Sequence, residues 1–309
     1  MIRITPGSAY ATFTRNITRL ASDMADLNDQ IGSGRRVRRP SDDPAAAAQA
    51  VRLKADLARL DQLDRARGAA EDRLKTTESV LAGVGDILSQ ARVLAVQGAS
   101  TQGADSRAAI ADNLEGLFQD LLGLANTRDG VSYVFSGYAT ETAPFSSSGA
   151  FADTVPPAST LAVAYDGTAD ETQAEIAPND YATVGWPGDQ LFLGGGDPSK
   201  DLFQILVRVR DAVLAGDTNA VNAELGPLDD AVDGISSVRG VLGTELRRAQ
   251  DAETRLTERK ADLKLRLDDT QGVDLVGTIA ALQQRETAYQ AALGAGAKSL
   301  GLSLLDFIG

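Results

Sequence analysis

Few residues in this chain could carry out chemistry. Its 309 residues include no Cys and no His. That removes thiol nucleophiles, disulfides, Cys/His zinc sites and imidazole bases together. Three constellations remain. Gly194-Gly-Gly-Asp-Pro-Ser-Lys200 has the glycines and lysine of a phosphate-binding loop. Such a loop needs Gly directly before Lys, and Ser199 stands there, so a flexible loop is the better reading. Asp166, Asp170 and Glu171 could offer oxygens to calcium, but not at EF-hand spacing. A solvated hairpin turning on Asp166-Gly167 accounts for them. The third constellation is cationic: Arg35, Arg36, Arg38 and Arg39, followed by Asp42 and Asp43. It is either a solvated loop answered locally by those carboxylates or a clamp on a neighbouring subunit, because Arg pairs well with carboxylates at interfaces. Both readings stand at this point. No carboxylate pair is singled out for hydrolysis, so no enzyme, metal or cofactor is expected.

The stronger signal is the patterning of the elements at the two ends. Tyr10, Phe13, Ile17, Leu20, Met24, Leu27 and Ile31 follow one another at alternating steps of three and four. Leu275, Ile279, Leu282, Tyr289, Leu293 and Leu300 continue the same pattern at the other end, interrupted by Glu286 and Gly296. An a/d-only stripe is the narrow seam of a coiled coil, not the wide face of a globular helix. The ends therefore pair with each other or with neighbouring subunits, and the even spacing at both extremes favours an intermolecular coiled coil. This points to assembly.

Composition agrees. The chain is 43% hydrophobic but only 5% aromatic, which suits long helices. It has no run of 18 apolar residues, so no membrane-spanning helix is expected. The first residues lack a charged region followed by an apolar one and a small-residue cleavage site, so no cleavable signal peptide is expected. Net charge is −13, and it is uneven. Residues 140–235 hold 16 acidic and three basic residues, and the remainder balances at 27 of each. An acidic middle argues against nucleic acid as a partner.

Along the chain, a helix is predicted over 10–31, ended by Gly32-Ser33-Gly34. A second begins with Asp43 as N-cap and Pro44 as its first residue, and continues through Leu74, Leu81 and Leu88. A third runs from about Ser106 through Leu124. Strand-like alternation follows over 131–138, then short strands over 161–165, 172–176, 181–186 and 190–193. Helical spacing resumes at Leu202 and again from Leu225 to Leu267. The fold class expected is mainly α with a β insertion: a long helical bundle, paired N- and C-terminal coiled-coil helices and a small central β domain. The domains expected are 1–44 plus 269–309 for assembly, 45–140 plus 202–268 as the bundle, and 141–201 as a β-rich outer domain. That outer domain is expected to fold separately, with few contacts to the bundle.

Particular residues add a resemblance. Ile31-Gly-Ser-Gly-Arg-Arg-Val37, then Pro40-Ser-Asp-Asp-Pro44 and an Ala-rich helix, resembles the N-terminal signature of the flagellin superfamily. The Pro-Ser-Asp-Asp-Pro form is closer to its hook-filament junction branch, the FlgL-type hook-associated proteins. The most specific match is Asn126–Phe145, with Tyr133, Phe135, Gly137, Tyr138, Pro144 and Phe145. Junction proteins carry such a segment where the bundle hands over to the outer domain. Tyr165-Asp-Gly and Gly188-Asp-Gln-Leu-Phe192 fit that outer domain, and Ser299–Phe307 resembles flagellins and junction proteins alike. The second arginine at position 36 and the pair Arg38-Arg39 depart from the pattern.

The resemblance implies a structural axial protein of the bacterial flagellum, an adaptor joining hook to filament. It would be exported unfolded from the cytoplasm by the flagellar type III apparatus and would end outside the cell. The implied partners are further copies in a ring or tube, neighbouring hook-associated proteins, flagellin subunits and an export chaperone. Nucleic acid and membrane are not among them. Two alternatives stay open: a minor flagellin forming filament, and a secreted binding module or adhesin.

Overall fold

The computed structural model describes the backbone of residues 6–130 and 132–308 and the side chains of residues 10–130 and 132–296. Seven helices dominate it. They are α1 (Pro6–Ser33), α2 (Pro44–Ser100), α3 (Ala104–Ala125), α4 (Gly188–Phe192), α5 (Leu202–Ala215), α6 (Thr218–Gln271) and α7 (Leu275–Ile308). The strands are β1 (Arg128–Asp129), β2 (Ser132–Tyr133), β3 (Phe145–Ser148), β4 (Ala162–Tyr165), β5 (Thr172–Ala177) and β6 (Asp180–Gly185). They pair as three antiparallel two-stranded ladders, β1–β2, β3–β4 and β5–β6. The expected class, mainly α with a small central β region, is the one observed.

The chain divides into two compact units: residues 1–59 with 258–309, and residues 60–257. In the second unit, α2 and α6 run antiparallel. Arg92 pairs with Asp229, Glu78 with Arg239 at 2.6 Å and Arg67 with Glu253 at 3.6 Å, so one number rises as the other falls. The sequence explains the fit. On α6, Val221, Leu228, Ile235, Leu242, Ala249 and Leu256 recur every seven residues, and all are buried. On α2, Leu74, Thr77, Leu81, Val84, Leu88, Ala91 and Ala95 alternate steps of three and four, and none is exposed at all. By length and composition α2 holds a stretch apolar enough to cross a membrane. Here that helix supplies the floor of a protein core.

The outer segment is not a separate fold. Its aromatic residues belong to the same core as the helices. Phe145 meets the rings of Tyr165, Phe192 and Phe203 at 5.3, 5.2 and 5.8 Å, and Phe203 lies on α5. Arginines from the helices tie down its backbone. Arg73 of α2 donates to the Val184 and Val134 carbonyls at 3.2 and 3.0 Å. Arg248 of α6 pairs with Asp180 at 2.7 Å and donates to the Tyr181 carbonyl at 3.0 Å. Arg210 of α5, only 1% exposed, donates to the Ala152 carbonyl and pairs with Asp153 at 2.7 Å. A guanidinium with several acceptors, buried at Arg210 and part-buried at Arg73 and Arg248, fixes each loop where few apolar residues could. The expectation of few contacts between outer segment and bundle is therefore corrected.

Three local expectations also change. Residues 190–193 do not form a strand; they lie in and just after α4, where Phe192 is fully buried against Phe135. Four residues are too few to tell a strand from a helical turn. Asp166-Gly167 does not close a hairpin, because β4 pairs with β3 and the Asp166 N–H goes to the Pro144 carbonyl. The tight hairpin is β5–β6, turning at Pro178-Asn179, with Asn179 at φ 61°. The strand expected over 131–138 is only Ser132–Tyr133; Val131 lies outside the described residues.

Candidate assembly interface

The first unit contains α1 and α7, and they pack on each other antiparallel. The Val273 N–H donates to the Gly34 carbonyl at 3.2 Å, Arg285 pairs with Asp23 at 3.4 Å, and Gly296 faces the ring of Phe13. Position numbers fall on one helix as they rise on the other. Gly296, an interruption in the sequence pattern, is buried, and a Cβ there would collide with the Phe13 ring.

Pairing does not finish the seam. Phe13, Ile17, Leu20, Met24, Leu27 and Ile31 are only half-buried, as are Leu282 and Tyr289. Tyr10, Leu275, Ile279 and Leu293 remain 58, 48, 44 and 44% exposed. Leu300 lies outside the described side chains. No seam residue with a described side chain is fully buried. Full burial of such a side chain is worth about 1.5–3 kcal/mol, so this face has much to gain from a further partner. Glu286 interrupts the stripe and is exposed.

The connector between α1 and α2 is held in a fixed shape. The Arg36 N–H donates to the Gln271 carbonyl at 2.8 Å, and Arg35 bridges to Gly272. Asp42 accepts the N–H groups of Arg38 and Arg39 at 3.0 and 2.8 Å. Asp43 caps α2, accepting the Ala46 N–H at 3.0 Å, with Pro44 in the first turn. Arg38 pairs with Asp29 at 2.6 Å and Asp26 at 3.4 Å. Arg36 reaches Asp43 at 3.5 Å and the Thr270 carbonyl at 3.3 Å. Arg38 and Arg36 are thus answered within the chain. Arg35 and Arg39 are exposed and make no ion pair among the described residues.

These contacts set a pH dependence. The N–H groups of Arg39 and Arg38 hold the Asp42 carboxyl below its usual range, and the Ala46 N–H, then Arg36, do the same for Asp43. The Asp29 hydrogen bond raises Arg38 above its ordinary value. A depressed carboxylate contributes stability above its unfolded pKa, about 3.9, and loses it as pH falls through the folded value. Amide exchange at Arg38, Arg39 and Ala46, corrected for intrinsic rate, is expected to be flat from pH 7 to 5 and to accelerate below about pH 4. Protection persisting at pH 2 would remove these carboxylates from the connector's stability.

The segment of residues 126–145 lies in the second unit and acts as a joint between α3 and the strands. Asn126, directly after α3, grips Phe145 through both backbone groups at 3.0 Å each. Phe135 is fully buried. The Tyr165 hydroxyl lies 2.9 Å from both the Phe135 and Thr168 carbonyls, which share its one proton. Gly137 has φ 61°, and a Cβ there would strike Thr168. Tyr133 is buried under Arg128, whose guanidinium lies 4.4 Å from the ring centre and donates to the hydroxyl. Pro144 supplies its carbonyl to Asp166, and Tyr138 is 64% exposed. These residues mainly hold this unit together; only Tyr138 presents itself outward. Arg73, Asn126 and Arg210 were not singled out from the sequence, because nothing local distinguishes a bridging polar residue from a surface one.

Cut at the observed boundaries, charge separates. The first unit holds 16 basic and 13 acidic residues, net +3; the second holds 14 and 30, net −16.

Comparison with known proteins gives a consistent set. Residues 6–140 match the family of the bacterial flagellin N-terminal helical region. Over 327 residues, 99% of each chain, the sequence is 29% identical to flagellar hook-associated protein 3 of Escherichia coli (strain K12). It is 28% identical over 328 residues to flagellar hook-associated protein 3 of Salmonella typhimurium, again 99% of each chain. Among solved structures, a putative flagellar hook-associated protein from Vibrio parahaemolyticus matches with TM-score 0.63 and 18% identity, covering 75% of this chain and 100% of that one. Bacillus cereus FlgL matches with TM-score 0.56 and 21% identity, covering 70% and 99%. The structural likenesses establish the fold.

Proposed function

We propose that this chain, similar over its full length to flagellar hook-associated protein 3 and over residues 6–140 to the flagellin N-terminal helical region, is a member of the flagellin superfamily and a structural axial protein of the bacterial flagellum, the adaptor between hook and filament. The observation that carries the mechanism is the seam left half open after α1 and α7 pair. A pair of helices is marginal by itself, and a two-helix seam with exposed a/d residues gains stability by meeting more helices.

In this reading residues 1–44 with 269–309 form the inner layer of a ring or tube. Residues 45–140 with 202–268 form the next, and 141–201 face outward. Its neighbours are further copies, other hook-associated proteins and flagellin. Export in an unfolded state, with a chaperone, suits a chain without cysteines. Work is done by packing; no chemical step is involved.

The test is a deletion strain. Loss of this chain is expected to give hooks without filaments while flagellin accumulates in the medium, and the chain supplied in trans restores attachment. A minor flagellin would leave filaments attached in the deletion strain, and that result would overturn the junction role. A companion pair of variants probes inside against outside. Asp166→Asn with Asp170→Asn and Glu171→Gln is expected to leave attachment unchanged. Arg35→Gln with Arg36→Gln is expected to reduce attached filaments several-fold at low ionic strength, with the difference from the unmodified chain shrinking at high ionic strength, where salt screens the contact that is removed. The reverse pattern would place the outer segment at the interface instead.

A further inference from the structure

Helix α6 is built from two unlike lengths of sequence. Among residues 226–243 only Leu228, Ala231, Arg239 and Leu242 are strong helix formers. The rest are Gly226, Gly234, Gly240 and Gly243, with Pro227, three aspartates, two serines and β-branched residues. Among residues 244–271, by contrast, 20 of 28 are Ala, Leu, Arg, Lys, Glu or Gln, and none is Gly or Pro. Charge follows the same division. Asp229 and Asp233 stand four positions apart with like sign, which weakens a helix. Further along, Arg248 pairs with Glu245 at 2.8 Å and Arg266 with Asp262 at 3.0 Å, three and four positions apart.

Packing does not call for the glycines. A Cβ added at Gly226, Gly234, Gly240 or Gly243 would meet nothing within 4 Å. Gly98 on α2 is the contrast, because a Cβ there would strike Val213. In a helix interior each such glycine lowers the helical equilibrium about fivefold relative to Ala. Pro227, inside α6, also removes one backbone hydrogen bond. The segment is held instead by its inner stripe, Leu228, Ile235 and Leu242, all buried, and by half-exposed ion pairs to α2, Arg92 with Asp229 and Glu78 with Arg239.

We propose that residues 226–243 of α6 are a flexing segment. The buried stripe stays in the core while the outer backbone bends or opens locally, without unfolding the unit. The second unit can then adjust to unlike neighbours. That use rests on the reading of the chain as an adaptor, in which copies of one sequence meet different arrays on their two sides.

Hydrogen exchange on the full chain, corrected for intrinsic rates, tests the segment itself. Amides of 226–243 are expected to exchange about tenfold or more faster than those of 249–256, although Ala249, Ala252 and Leu256 are buried as fully as the earlier stripe. Equal protection overturns the proposal. Gly234→Ala with Gly240→Ala and Gly243→Ala is expected to slow exchange across 226–243 about tenfold or more and to raise the Trp186 transition. A lowered transition overturns it, since the room for each methyl group would then be illusory. The use in assembly is read from attached filaments. The alanine triple is expected to lower them several-fold despite its greater stability. Gly234→Asn with Gly240→Asn and Gly243→Asn adds more bulk but keeps a weak helix former at each site, and is expected to retain them. Loss in the asparagine triple, with or without loss in the alanine triple, would mean that the glycines make space for a neighbour, and overturns the flexing role. Retention in both overturns it too. Failure of the unmodified chain to restore attachment would count against the junction role instead, and exchange then decides the segment alone.

Discussion

Ile17→Asp is expected to leave hooks bare of filaments while the second unit melts as in the unmodified chain. Ile17 stands mid-seam on α1, half-buried against α7 with the rest of its face open. Closing the seam against a further helix would bury the new carboxylate with no basic partner on that stripe. An uncompensated buried charge costs about 3–5 kcal/mol, which weakens each subunit contact more than a hundredfold. Among the described residues, the core of the second unit draws on Ala70 to Ala252 and includes none from α1 or α7. Trp186, the only tryptophan, packs against that core, so its fluorescence reports this unit alone. Normal motility in the variant would dismiss the coiled-coil role of α1. A shifted tryptophan transition would show that the variant had damaged folding elsewhere.

Phe145→Ala is expected to give the largest loss of stability among the residues of the junction-like segment. The side chain is 3% exposed and touches three other rings, those of Tyr165, Phe192 and Phe203. Its backbone is fixed by Asn126, so the surroundings cannot easily close over the space left. Truncating a buried Phe costs about 3–5 kcal/mol. In a unit of about 200 residues each kcal/mol lowers Tm by about 2–4 °C, so a fall of about 6–20 °C in the Trp186 transition is expected. A fall under about 2 °C would mean that the aromatic cluster is not what joins the strands to α5. Assembly at low temperature is expected to survive, in contrast to the seam variant.

Much of the fold was legible because it is written in local periodicity. The seams of α1 and α7, the N-cap at Asp43, the stop at Gln271-Gly272 and the long α2 and α6 all follow from steps of three and four between punctuating Gly, Pro and Asp residues. Strand positions in the outer segment were legible where alternation ran over five or six residues, as in β5 and β6. The segment 190–193 was misread because four residues fit either period. The turn at Asp166-Gly167 was misread because a good turn dipeptide says nothing about which strands flank it. The real hairpin turns on Pro178-Asn179.

The candidate interface divides in the same way. By itself the sequence determined that the ends are narrow-seamed helices, that cysteine and histidine chemistry is absent, and that acidic residues gather away from the termini. Only the tertiary structure decided that α1 and α7 meet each other yet stay half open. It also decided that Arg36 and Arg38 are answered within the chain while Arg35 and Arg39 make no ion pair among the described residues. Arg73, Arg210 and Arg248 proved to bind the outer segment to the helices. The physical reason is range. A helix is specified by neighbours three or four positions away, whereas burial of a seam or neutralisation of a guanidinium depends on groups distant in sequence. Arg73 finds Val184 across 111 positions, and Arg36 finds Thr270 across 234.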